Sequence, residues 1–278
     1  MAGLLTALVE AHELSIYSYV KPGAPHRYST RFRDLHTLFV NLTSSFDVYE
    51  RAAKLGEDVA RGRAGFPSVR VGELLSEALQ KAEARLGAGT DPMIHIMLVP
   101  VTVAVSYSVK MRGRVDGALV RRALSDLLNY SDVSESLKIY ESLKTVGGRY
   151  SALLDETMIT PTKIRVESLR PADIFAEMSV KEPIFSLLGR RLSTLISASK
   201  RFIELETGEV STNAAAVEVF SELVYGVTGK KLRVYGDTDI VKALRYDKEL
   251  EKSGVDLSPF IGPLTATLFM GMADLISA

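Results

Sequence analysis

A chain of 278 residues is long enough for one large domain or two small ones, and 46% hydrophobic with 24% charged residues is a globular rather than a disordered composition. Lysine plus arginine and aspartate plus glutamate both number 34, so the chain lacks the cationic excess that drives non-specific nucleic-acid binding. With no cysteine, disulfides, thiolate metal sites and cysteine nucleophiles are excluded, and a reducing cytoplasm is the expected compartment.

The opening MAGLLTALVEAHEL has no basic n-region, and Glu10 and Glu13 interrupt any secretory h-region, so no export signal is expected. A first helix is expected near residues 3 to 18 and a second over 34 to 62. Between Val69 and Leu86 the apolar positions Val71, Leu74, Leu75, Ala78, Leu79, Ala82 and Leu86 share one helical face, opposite Glu73, Glu77, Lys81 and Arg85. The longest apolar run, Met93 to Val109, contains His95 and Pro100 and falls short of the roughly 20 residues that span hydrocarbon. It reads as a buried helix, kinked or started anew at Pro100, in preference to a strand.

Further helices are expected near 115 to 128, 171 to 180, 211 to 226 and 260 to 276. Asp132 with Glu135 has the spacing of a capping pair opening a helix through Leu143, and Pro183 opens another that runs to Leu205. Val146 to Pro171 and Thr228 to Thr238 read as packed loops. The expected fold class is therefore all-α, a single domain over 1–278. It is a multi-helix bundle with Met93–Val109 and Phe260–Ile276 buried at its centre, since neither carries a charged face apart from Asp274. The apolar ending LFMGMADLISA predicts a homodimer.

Two segments carry chemistry. In KPGAPHRY and its continuation, Lys21, His26, Arg27, Arg31 and Arg33 fall close together, and Pro22, Gly23 and Pro25 hold the backbone out of helix. Such a loop can present several donors to one polyphosphate, although on composition alone it also reads as a solvated connection between helices. In GAGTDP, Asp91 before Pro92 suits an N-cap and a first-turn proline beside a glycine turn. Helix starts attract anions, but an aspartate there fills the donors, which favours an ordinary capped helix. The histidines His12, His26, His36 and His95 lack metal-ligand spacing, and His95 reads as a hydrogen-bonded core residue. The paired basic residues at 121–122, 190–191 and 230–231 are scattered, as on solvated helix faces, and no nucleophile elbow, Walker loop or dinucleotide fingerprint is present.

These features occur in an order that resembles the triphosphoribosyl-dephospho-CoA synthase family. KPGAPHRY resembles that family's KPGNVHRF. GAGTDPMIHIMLVP resembles GGGNTHxGxLLLLVP, and DVSESLKIYESLKTVGG resembles a helix leading into a Gly-Gly turn. GDTDIVKAL and DKELEKSGVDLSPFIGPLTATLF resemble the late DTxIxxK and NPGTTADLTAxALF segments. The resemblance implies an all-α domain and, for its enzymes, attack of a dephospho-CoA ribose hydroxyl on the ATP ribose carbon that bears adenine. It also implies a nucleotide- or phosphate-binding set here of Lys21, Gly23, His26, Arg27, Arg31, Arg33, Thr90 and Asp91, with Asp34 as the candidate metal ligand and no catalytic residue assigned.

Matched position by position, the chain departs from the family. The glutamate six residues before the lysine is Ser15, and the asparagine of KPGN is Ala24. The asparagine and histidine of GNTH are Gly89 and Asp91, the following small glycine is Met93, and the aspartate of TTAD falls on Pro263. Loss of polar groups from separated segments, with the apolar helices kept, is the pattern of a retained scaffold with an altered site. The expected protein binds a nucleotide or other phosphate-bearing small molecule, with neither nucleic acid nor membrane as partner. The alternatives are an active transferase using ATP and Mg²⁺, in which Glu10, Glu13 and Asp34 are the acids nearest the basic loop, and a helical bundle that arrived at KPG independently.

Overall fold

The computed structural model describes residues 2–29, 35–235 and 239–277, and every regular element among them is helical. In chain order these are α1 (Ala2–Tyr17), α2 (Leu35–Thr43), α3 (Phe46–Ala60), α4 (Val71–Leu86), α5 (Pro92–Arg112), α6 (Gly117–Tyr130) and α7 (Val133–Val146). There follow α8 (Gly148–Glu156), α9 (Pro161–Val166), α10 (Pro171–Lys181), α11 (Leu192–Glu206), α12 (Thr212–Thr228), α13 (Ile240–Lys252) and α14 (Ile261–Ser277). Tight 3₁₀ turns at Phe66–Val69, Gly87–Gly89, Pro183–Leu188 and Ser258–Phe260 link some of them.

The expected centre is borne out. α5 is buried without a break from Pro92 to Ser106, and α14 from Ile261 to Gly271. With no polar face to offer water, both helices lose their apolar area only by being surrounded. α3, α4, α6 and α14 pack around α5, and α14 in turn carries α1, α11 and α12. The α3–α5 approach depends on Gly56, where a Cβ would stand 2.3 Å from the Val103 carbonyl oxygen. α5 and Ser258–Ser277 are long and apolar enough to cross a membrane, yet 89% and 72% of their most apolar windows are buried inside the protein, as in core helices. α5 continues through Pro100 instead of starting anew, because its other amides sustain the helix around the one missing donor.

Several boundaries differ from expectation for local reasons. The stretch 34–62 holds two helices: the Ser45 hydroxyl leaves the ladder to donate to the Ala78 carbonyl of α4 at 2.7 Å, and the chain turns there. Pro183 opens a 3₁₀ turn that stops at Gly189, and α11 begins only at Leu192. Between them Arg191 donates to the Gly226 and Val227 carbonyls at the end of α12. The expected loop Val146–Pro171 contains α8 and α9, the latter capped by Thr160, whose hydroxyl accepts from Lys163 N at 3.1 Å. α13 was not expected; its residues are segregated at helical spacing but mostly polar, and it buries only Ala243 and Asp247. Asp132 does cap α7, but Glu135 turns away from it to accept from Glu73 N, in the first turn of α4, at 2.9 Å.

Candidate functional site

The KPG loop is a buried structural segment. Val20 through His26 are all buried, and each turn of the loop has an anchor on another element. Asn213 of α12 clamps Tyr19 on both sides, accepting from its N–H at 2.8 Å and donating to its carbonyl at 2.6 Å. Gly23 takes φ +79°, a conformation open to glycine, and a Cβ there would stand 3.1 Å from Leu257. Its N–H donates to Asp247 Oδ1 of α13 at 2.8 Å, and its carbonyl accepts from Leu257 N at 2.7 Å. His26 is fully buried, accepts from Tyr28 N through Nδ1 at 3.1 Å, and sets Nε2 3.4 Å from Asp247 Oδ2.

Lys21 is fully buried as well. Its ammonium faces the C-terminal end of α1, donating to the Ile16 carbonyl at 3.3 Å, the Ser18 hydroxyl at 3.0 Å and the Ser18 carbonyl. That is a favourable place for a cation at a helix C-terminus. Burial nonetheless holds the amine's pKa well below its ordinary value. Arg27 alone of the described basic residues in this loop reaches solvent, and its guanidinium lies over the Tyr19 ring, 3.8 Å from the centroid. Arg31, Arg33 and Asp34 lie outside the described residues.

The second predicted segment is pinned by a residue that sequence reasoning missed. Asn41 of α2 is fully buried, accepts from Asp91 N at 2.7 Å, and donates to the carbonyls of Thr37 at 2.9 Å and Gly89 at 3.3 Å. Thr90 folds back on the glycine turn, its hydroxyl donating to the Gly87 carbonyl at 2.9 Å. Asp91 caps α5 as expected, accepting from Met93 N at 3.1 Å.

The two segments meet two others around a cleft of about 470 Å³. Pro25 comes from the KPG loop, Thr90 and Asp91 from the glycine turn, Gly147 to Tyr150 from the start of α8, and Asp256 and Ser258 from the approach to α14. The first turn of α8 has no side-chain cap, since Gly147 stands at that position, and Gly147 to Tyr150 form one wall of the cleft. Arg149 is held there by an ion pair with Glu182. Asp256 is itself engaged, accepting from Ser258 N at 2.9 Å. Of the predicted set, Thr90 and Asp91 line the cleft, whereas Lys21, Gly23 and His26 support the loop behind Pro25. Arg149, Tyr150, Asp256 and Ser258 were missed, and the adjacent Gly147-Gly148 pair was the only sequence signal for them. Glu10 and Glu13 are exposed on α1, and no cluster of three or more histidine, aspartate or glutamate side chains forms a metal-binding group among the described residues.

Beneath the cleft wall lies a neutral polar interior. His12 Nε2 donates to the Leu38 carbonyl at 2.9 Å, which leaves Nδ1 as the acceptor facing Thr265 Oγ1 at 3.4 Å. Ser15 and Thr265 share a hydrogen bond of 2.7 Å, and Tyr49 Oη and His95 Nδ1 share another of 2.7 Å. Burial lowers His12 to about 4, against the raising effect of the Leu38 bond, and lowers His95 to about 3, with the His12 charge adding to the effect. Three positions that depart from the resembled family, Ser15, Met93 and Pro263, lie on α1, α5 and α14. Ser15 of α1 bonds Thr265 of α14, and Pro263 follows Gly262, where a Cβ would stand 2.6 Å from the Met93 carbonyl oxygen of α5. All three residues are buried.

No protein-family profile matches the sequence, and no curated protein does. Among solved structures, the chain is similar to a crystal structure provisionally described as a triphosphoribosyl-dephospho-CoA synthase from Archaeoglobus fulgidus. The identity is 17% and the TM-score 0.57, over 87% of this chain and 99% of that one. At that identity the likeness shows the shared helical scaffold.

Proposed function

We propose that this protein is a diverged relative of the triphosphoribosyl-dephospho-CoA synthases that binds a nucleotide or other phosphate-bearing small molecule in the cleft between Pro25, Thr90, Arg149 and Asp256, and does not run the parent transfer. The observation that carries this reading is that Ser15, Met93 and Pro263 are each buried and uncharged, with Ser15 bonded to Thr265. The resemblance calls for a glutamate, a glycine and an aspartate at these positions. Two carboxylates could bind a metal–triphosphate there, whereas a serine bonded to a threonine and a packed proline offer no charge. Among the described residues no group of three or more acidic or histidine side chains would hold Mg²⁺.

What remains for an anion is the open first turn of α8 and the Arg149 guanidinium. Lys21 contributes by fixing the loop, since its amine is occupied by α1 carbonyls. The test is to incubate purified protein with ATP, Mg²⁺ and dephospho-CoA and to follow free adenine, with calorimetry of ATP binding alongside. The expected result is no adenine above background and a saturable ATP isotherm that Arg149→Ala abolishes. Steady adenine release that disappears in Lys21→Ala restores the active-transferase reading. A flat isotherm in the wild-type protein refutes the binding reading. Homodimerisation and a cytoplasmic location belong to the same proposal, and a sedimentation mass near the 30.4 kDa of one chain at micromolar concentration removes the first of these.

A further inference from the structure

A second concavity runs along the seam between α6 and α11 and shares no lining residue with the cleft. It consists of two hollows, about 460 and 640 Å³, that lie side by side with Arg121 lining both. Gly117, Arg121, Ser125 and Leu128 of α6 face it at three- and four-residue steps, as do Leu192, Ile196 and Lys200 of α11. Each helix therefore offers one continuous face. From Gly117 to Leu128 the trough is about 16 Å long at 1.5 Å per residue.

Its two ends differ in chemistry. One is floored by Phe175 and Phe185, whose rings lie nearly parallel with centroids 6.1 Å apart, together with Leu128 and Leu188. The other is lined by Arg114, Arg121 and Lys200, and Arg190 stands at the rim of the apolar end. All four cations are exposed, and none forms an ion pair among the described residues. The three carboxylates along the trough each serve a backbone amide. Asp116 accepts from Ala118 N and Leu119 N, Asp173 from Arg170 N, and Asp274 from Val115 N at 3.0 Å. Four cations against three carboxylates leave the trough net positive, with the free hydrogen-bonding capacity on the cationic side. An apolar floor that ends in unpaired cations selects a molecule with the complementary polarity.

We propose that this trough binds an amphipathic anion, with an apolar chain over Phe175 and Phe185 and an anionic head between Arg121 and Lys200. The test is a fluorescence titration with dansyl-labelled undecanoate below its micelle concentration, and with dansyl-labelled undecylamine as the cationic control. Two variants at exposed positions separate the ends: Arg121→Glu with Lys200→Glu reverses the head site, and Ala176→Trp fills the apolar end from α10. The expected result is saturable binding of the undecanoate only, weakened by about tenfold or more in each variant while circular dichroism stays that of the wild type. The proposal is overturned if the wild-type protein does not bind the undecanoate, if the amine binds equally well, or if either variant binds the undecanoate within about twofold of the wild type.

Discussion

Replacing Asp247 with alanine tests whether α13 holds the KPG loop in place. Asp247 is 6% exposed, accepts from Gly23 N at 2.8 Å and faces His26 Nε2 at 3.4 Å, and both of those nitrogens are buried. His26 uses Nδ1 as an acceptor for Tyr28 N, so Nε2 is the ring nitrogen on the Asp247 side. A buried donor deprived of its acceptor costs about 1–3 kcal/mol, so loss of the Gly23 bond costs about 2 kcal/mol. For a chain of this size that corresponds to a fall in Tm of about 5 °C. Asp247→Asn keeps an acceptor for Gly23, and its expected loss is about half as large. Calorimetry gives the Tm, and hydrogen exchange at the Gly23 amide shows whether the loosening is local to the loop. A Tm for Asp247→Ala within about 1 °C of wild type, or a Gly23 amide that exchanges no faster, would refute the reasoning.

Three other outcomes follow from the packing and the buried histidines. His12 and His95 are neutral in the folded protein, lowered to about 4 and about 3, while the unfolded chain binds protons at the ordinary histidine value near 6.5. Stability therefore falls as pH drops below about 6.5, by roughly 2 kcal/mol per histidine at pH 5, and urea melts at pH 7 and pH 5 with equal midpoints would contradict this. Gly56→Ala drives a Cβ against the Val103 carbonyl and should cost about 1–3 kcal/mol, read as a lower urea midpoint with an unchanged slope. Asn41→Ala removes the acceptor for Asp91 N and a donor to Gly89, with a loss of about 2 kcal/mol and weaker ATP binding at the cleft; wild-type binding would show that Asn41 does not position that wall.

The helices that carry a strong apolar signal were legible in the sequence, since α4, α5 and α14 announce their burial by a stripe or by the absence of any polar face. Asp91 as the cap of α5 was legible for the same reason: a cap is local, set by residues two positions apart. What the sequence hid was long-range. The break between α2 and α3 depends on Ser45 reaching Ala78, and α13 depends on Asp247 reaching a loop 224 residues earlier. Neither contact leaves a periodic trace. The direction of the lysine was hidden too, because a lysine beside proline and glycine reads as a phosphate donor, whereas Lys21 turns back to donate at the end of α1. The glycine pair at Gly147-Gly148 was noticed as a turn. That it opens an uncapped helix beside Thr90 and Asp256 is a fact of tertiary packing alone.

A scaffold can outlive the chemistry it once positioned, and under the proposed function the interior of this chain would offer a physical route. A site that holds carboxylates close to a dry core depends on their ligand, because an unpaired buried charge costs several kcal/mol. Once the ligand's contribution is no longer selected, neutral replacements at those positions stabilise the fold, and each one makes the next more favourable. On the proposed function, Ser15 bonded to Thr265 and the buried Pro263 would be such replacements. α5 and α14 are also buried along most of their length. The outer cleft follows a different rule. Its walls are hydrogen-bonded through Asn41, Asp247 and Leu257 N, contacts that persist without any ligand, and Arg149 is held by Glu182 within the protein itself. A site stabilised by the fold rather than by its substrate is free to keep a concave shape and an anion-facing helix start after the reaction is gone.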